Sequence, residues 1–298
     1  MPPPWSVIST AISRRSSVYR RILVSRLGEL FGLNGQVAVV TGGSGVLGRG
    51  LCLGLADAGA SVAILGRRQA ACDDVAREIR ERGGQAVGVA CDVLNLDELA
   101  QAVTTVEAVL GPVDILVNGA GGNQPPATTA ADRRFFDLAP DALTAVVDLN
   151  LHGTLRPSQA FGRGMAERGA GCIINISSMA AMRPLTRTVG YNAAKAAVNS
   201  FTYWLAVHLA QEYSPNIRVN AIAPGFFLAE QNRALLIDAA TGDWTPRGKQ
   251  ILAHTPMNRL GSPDDLVGTL VWLASPAAAF VTGIVVPVDG GFSAFGGV

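Results

Sequence analysis

The chain has 298 residues, of which 49% are hydrophobic and 16% charged, with a formal net charge of +1. That balance supports a large buried core and gives no long-range attraction to nucleic acid, and no basic patch with interleaved aromatics appears. Cys52, Cys72, Cys91 and Cys172 form no CxxC pair, and His152, His208 and His254 lack ligand spacing. We therefore expect reduced thiols, no metal site and a cytoplasmic setting.

The first acid is Glu29, and five arginines precede it. This is transit-peptide-like composition, but we read residues 1–33 as a basic, disordered extension and 34–298 as one catalytic domain. From there short apolar runs alternate with helical stretches. "QVAVVT" reads as a strand and "VLGRGLCLGLADAG" as a helix. "SVAILG", "QAACDDVAREIRERGG", "QAVGVACDV", "LDELAQAVTTVEAVLG" and "VDILVNGAG" continue the alternation. "PDALTAVVDLNLHGTLRPSQAFGRGMAERG" reads as one long helix, followed by the strand "GCIINISS". The helix "YNAAKAAVNSFTYWLAVHLAQEY", the strand "IRVNAIAPG", the helix "SPDDLVGTLVWLAS" and the strand "GIVVPVDGG" complete the chain. Such alternation predicts an α/β single-domain Rossmann fold: a doubly wound parallel sheet of about seven strands with helices on both faces.

Residues 266–288 carry no charge and are long enough to span a bilayer. Pro276, Gly283 and Pro287 interrupt them, so a buried helix, a turn and a buried strand are expected, with no membrane partner. Two irregular stretches, 119–140 and 224–261, follow the carboxyl ends of strands, where open α/β sheets bind ligands.

The loop "TGGSGVLG" holds Gly42, Gly43, Ser44, Gly45, Val46, Leu47 and Gly48, with GxGxxG at Gly43, Gly45 and Gly48. Between a strand and a helix, this pattern lets the backbone approach a pyrophosphate at a helix N-terminus. The second strand ends in Gly66, Arg67 and Arg68, where an NAD site would place an acid. Two arginines suit a 2′-phosphate, so NADP(H) is favoured over NAD(H). Asp92 is placed to meet the adenine edge.

The chain has only two lysines, Lys195 and Lys249. Lys195 lies four residues after Tyr191 on one helix face. A nearby cation would favour the phenolate and bring Tyr191 towards the range of a general acid or base. Ser177 and Ser178 end a strand on the ligand side, where a hydroxyl can hold a carbonyl oxygen.

Taken together, "TGGSGVLG", "NGAG", "INISS", "YNAAK", "RVNAIAPG" and "VDGG" resemble the short-chain dehydrogenase/reductase family, over about residues 34–298. The resemblance implies Ser178 as catalytic serine, Tyr191 as acid/base and Lys195 as its partner and a cofactor contact. It implies Asn150 as support for a proton relay. Further cofactor contacts would come from Val93, Asn118, Gly119, Ala120, Gly121, Pro224, Gly225 and Phe227. Three positions depart from the pattern: Val46 replaces a glycine, Gly119 replaces the second asparagine of NNAG, and Ala229 replaces a Thr or Ser.

Within the family, "NGAGGN", "SSMAAMRPLT", "APGFFLAEQNRALL", "HTPMNRLG" and "DGGFSAFGGV" resemble the D-mannonate oxidoreductase (fructuronate reductase) subgroup, with Gln124 where histidine is expected. A sugar-acid substrate needs one cation and several hydrogen-bonding groups; Asn123, Arg183, Arg187, Asn232 and Arg233 are the candidates. Another short-chain reductase, acting on an acyl thioester or a polyol, and a non-catalytic nucleotide sensor remain alternatives. The resemblance and the apolar tail suggest a homotetramer.

Overall fold

The computed structural model describes residues 26–228, 233, 235–239 and 241–297. Candidate Asn232, Ala229 and the basic segment 1–25 lie outside them. Seven strands form one parallel sheet in the order β3-β2-β1-β4-β5-β6-β7. They are β1 (Val37–Thr41), β2 (Ser61–Gly66), β3 (Ala86–Ala90), β4 (Ile115–Asn118), β5 (Gly171–Ile176), β6 (Ile217–Pro224) and β7 (Val285–Val288). The helices are α1 (Val46–Asp57), α2 (Gln69–Glu81), α3 (Leu96–Leu110), α4 (Pro140–Val147), α5 (Gly153–Arg168), α6 (Val189–Glu212), α7 (Pro246–Ala253) and α8 (Asp264–Ala274).

Alternation along β1 shows why the sheet is covered twice. Ala38 and Val40 enter a core with α1, α2 and α8; Val37 and Val39 enter another with α3, α5 and α6. Every β1 residue is buried, and each buried valine contributes about 1.5–3 kcal/mol. The order reverses between β1 and β4, so their carboxyl ends open the crevice where such sheets take ligands. Leu33, ahead of the expected domain start, is wholly buried in the first core.

The structure differs from the sequence reading in two places. The long helix expected over 140–169 is broken by a π-helical turn, Asp148–His152, between α4 and α5. Pro157 inside α5 has no N–H to offer the Gly153 carbonyl, and wider turns of this kind collect at functional sites. Within the supposedly irregular 224–261, α7 is a true helix. Thr245 caps it by accepting from the Gly248 N–H at 3.1 Å, and Pro246 stands at its first position. The run 266–288 splits into α8, a 3₁₀ turn and β7. No helix among the described residues is long and apolar enough to cross a membrane.

Candidate active site

The glycine loop follows β1 at the crevice. Gly42 has φ +68°, and a Cβ on Gly48 would stand 2.1 Å from the Gly42 carbonyl oxygen, so neither position admits a side chain without distortion. Helix α1 starts immediately after the loop. Gly45 gives it no side-chain cap and its first turn has no acid, which leaves its leading N–H groups for an anion. Val46, where the family pattern has glycine, is exposed.

At the end of β2, a Cβ on Gly66 would meet Ser44 Oγ at 2.7 Å. The position carries no carboxylate, and Arg67 and Arg68 are exposed beside it. After β3, Asp92 accepts from the Leu94 N–H at 2.9 Å, while Val93 is buried with its side chain against Gly153. After β4, Thr41 Oγ1 accepts from the N–H groups of Gly119 and Ala120, both at 3.1 Å. Asn118 is buried and donates 2.9 Å hydrogen bonds to Ser158 and to Asn175, its register partner on β5. After β6, Gly225 packs against Asp289, and the Phe227 ring lies in the core against Gly261.

These loops meet the α6 residues at one point. A Cβ on Gly121 would stand 2.7 Å from Asn150 Oδ1 and 3.2 Å from Lys195 Nζ. Asn150 is fully buried on the π-turn. Its Nδ2 donates to the carbonyls of Gly122 at 2.6 Å and Val146 at 2.8 Å, and its Oδ1 accepts from the Gly122 N–H at 3.1 Å. The side chain thus pins the loop after β4 to the helix.

The Ser178 hydroxyl lies where it lowers the pKa of the Tyr191 phenol. Lys195 is buried, donates to the Ile176 carbonyl at 2.7 Å, and lies 5.7 Å from the Tyr191 ring centroid. Burial pulls the Lys195 ammonium down to about 8. Burial also pushes the Tyr191 phenol up, partly offset by Ser178. This differs from the expectation that the lysine charge would lower the tyrosine. Loss of solvent around the phenol is the largest cause.

The candidate substrate residues spread over three segments. Asn123 donates to Thr128 Oγ1 at 2.8 Å and leaves its own oxygen buried and unpartnered. Exposed Arg183 donates to the Ser293 carbonyl at 3.0 Å, so it is engaged with the C-terminal tail. Arg233 is exposed. Beside Arg187, Thr186 accepts at 3.3 Å from Arg247 of α7, a residue that sequence reasoning missed. The Thr-Pro cap at 245–246 was the available signal for a helix there.

Such an arrangement suits one kind of chemistry. A loop and helix end shaped for a dinucleotide lie beside a phenol and an ammonium that can exchange a proton with an oxygen. A bound nicotinamide would supply hydride transfer. This defines a nicotinamide-nucleotide-dependent oxidoreductase acting on alcohol or carbonyl groups. The chain belongs to the short chain dehydrogenase family, whose sequence profile matches residues 36–239. It is 46% identical over 275 residues to an uncharacterized oxidoreductase, UxuB, of Bacillus subtilis (strain 168), covering 89% of this chain and 98% of that protein. A candidate D-mannonate oxidoreductase from Haemophilus influenza, solved with bound NAD, shares 43% identity at TM-score 0.84, covering 90% of this chain and 98% of that one. The 5-keto-D-gluconate 5-reductase of Escherichia coli (strain K12) is 34% identical, covering 89% of this chain and 98% of that protein.

Proposed function

We propose that the protein interconverts a sugar-acid ketone and its alcohol, with D-fructuronate and D-mannonate as the pair and NADP(H) preferred over NAD(H). The observation that carries this reading is the likeness to relatives named for sugar acids, a candidate D-mannonate oxidoreductase and a 5-keto-D-gluconate 5-reductase. Cationic residues around the crevice suit a carboxylate. The lack of a carboxylate at Gly66, with exposed Arg67 and Arg68 beside it, supports NADP(H).

Tyr191 serves as the proton donor in reduction and Ser178 holds the carbonyl oxygen. Lys195 orients the ribose of the nucleotide and keeps a positive charge beside the phenol. Asn150 fixes the loop that carries Gly121 against Lys195, and we assign it the relay support. The enzyme works in the cytoplasm as a homotetramer. The test is steady-state turnover of D-fructuronate, 5-keto-D-gluconate, an acetoacetyl thioester and a neutral keto-sugar with NADPH and NADH. D-Fructuronate should give the highest kcat/KM. Faster reduction of the thioester than of either acid would overturn the reading.

A further inference from the structure

Arg187 and Arg247 come from segments about sixty residues apart, the turn before α6 and the first turn of α7. Partial burial lowers the pKa of Arg247, and the charge of Arg187 lowers it further. Like charges repel, and an anion between them removes that cost. Among the described residues, neither arginine forms an ion pair with an Asp or Glu. Arg247 reaches back across the gap by donating to Thr186 Oγ1 at 3.3 Å, which holds the α7 segment against the turn.

A second observation comes from the backbone. Arg187 has φ +75°, a left-handed conformation that a long side chain rarely adopts. The Thr129 N–H fixes it by donating to the Arg187 carbonyl at 3.0 Å. Strain of this kind persists where the surroundings hold a residue in place, and it clusters at ligand sites. Arg187 also borders open space, a cavity of about 350 Å³ that it lines with Thr129, Thr188 and Asn192. Asn192 is the neighbour of Tyr191 on α6. The carboxylate of a 5-keto acid lies four C–C bonds from its ketone, on the order of 5 Å. Arg187 stands in the turn that leads into α6, the helix that carries Tyr191 near its start.

We propose that Arg187 and Arg247 form a paired-guanidinium receptor for the substrate carboxylate, so that Arg247 selects sugar acids over neutral sugars. The assignment rests on the sugar-acid reading above and replaces Arg183 and Arg233 as the anchoring cations. One carboxylate between two forks accepts from both, and its charge removes their repulsion.

The test titrates NADP⁺-saturated full-length enzyme with D-mannonate and, separately, with D-mannitol, and measures turnover in parallel. Arg247→Gln and Arg187→Gln should each weaken D-mannonate binding by about tenfold or more. The double variant should lose less than the product of the two, because both act on one carboxylate. D-Mannitol binding should change far less. Lys249→Gln, which removes an exposed charge two residues away, should leave D-mannonate binding unchanged. NADP⁺ affinity reports on folding. If Arg247→Gln does not fold, Arg247→Lys, which keeps the charge and loses the fork, should still weaken the acid selectively. Wild-type affinity for D-mannonate in a folded Arg247 variant overturns the proposal. Arg247-dependent binding of D-mannonate without its oxidation would support the receptor while refuting the proposed reaction. Failure of the wild type to bind any sugar acid would overturn both.

Discussion

Lys195 Nζ donates a 2.7 Å hydrogen bond to the backbone carbonyl of Ile176, the last residue of β5. The ammonium is thereby held between the sheet and Gly121 in a place water scarcely reaches. Burial lowers its pKa from 10.5 to about 8. Below about pH 8 the folded and unfolded states both carry the proton, and folding bears the full cost of burying the charge. Between about 8 and 10.5 the unfolded chain binds more protons, so this group's contribution to stability rises with pH. A Lys195→Met variant lacks this titration. Unfolding both proteins in urea at pH 7 and pH 9.5 should show the wild type gaining ~2 kcal/mol relative to the variant. A constant gap would mean that Lys195 is not shifted.

Tyr191 is shifted the other way, upward by burial. At neutral pH it therefore holds its proton, the form needed to donate to a carbonyl oxygen. Tyr191→Phe should lower kcat by about 10²–10⁴-fold while leaving cofactor affinity nearly intact. Ser178→Ala should also lower kcat and, by removing the hydroxyl that lowers the phenol pKa, move the basic limb of the rate profile to higher pH. Near wild-type turnover in the Phe variant would rule out the phenol as the proton donor.

The parts of the fold legible in the sequence were those fixed by local chemistry. Short continuous apolar runs and glycine-closed helices yielded the sheet, and the resemblance of "INISS" and "YNAAK" brought Ser178, Tyr191 and Lys195 to one crevice. Three features were not legible, each because it depends on distant groups. The π-turn at Asn150 needs the Gly122 loop as its partner, 28 residues earlier. The lysine's effect on the tyrosine depends on burial, which a helical spacing does not report. The approach of Arg247 to Arg187 requires the fold of the whole segment after β6. The α7 cap at Thr245 and Pro246 is local and was readable, but a helix of 8 residues shows too few turns to establish a period.

The cofactor reading has a direct check in the exposed pair after β2. Replacing Arg67 and Arg68 together by Ala should raise KM for NADPH by about tenfold or more and change KM for NADH little, since only the former has a 2′-phosphate to lose contact with. Equal effects on both nucleotides would show that these arginines do not read the phosphate. The NAD bound in the Haemophilus influenza relative makes the NADH arm of the measurement essential.

Assembly can be tested at the edge of the sheet. β7 is an outermost strand, and Phe280, just before it, is fully exposed. An open strand edge next to an exposed aromatic is a place where a second copy can bury apolar surface. Light scattering at micromolar concentration should give the mass of a tetramer, and Phe280→Asp should shift it to smaller species. A wild-type monomer would refute the assembly.

The last prediction concerns the tail after β7. The Asp289 carboxylate accepts from the N–H groups of Gly291 at 2.9 Å and Ser293 at 2.8 Å, and this folds the tail back over the crevice. There Ser293 takes the Arg183 guanidinium, Phe292 meets Phe226 edge-on, and Phe295 meets His254. The Gly290 carbonyl also accepts from the Met257 N–H at 3.1 Å. The tail therefore ties the β5–α6 turn, the end of β6 and the segment after α7 to one another. Asp289→Ala deletes two charge-assisted hydrogen bonds at its root and should cost about 1–3 kcal/mol, seen as a Tm lower by roughly 3–8 °C. Because the residues it restrains lie on the substrate side, KM for the sugar acid should rise several-fold with cofactor affinity preserved. An unchanged Tm, or a loss confined to cofactor binding, would mean that the tail does not hold the substrate side together.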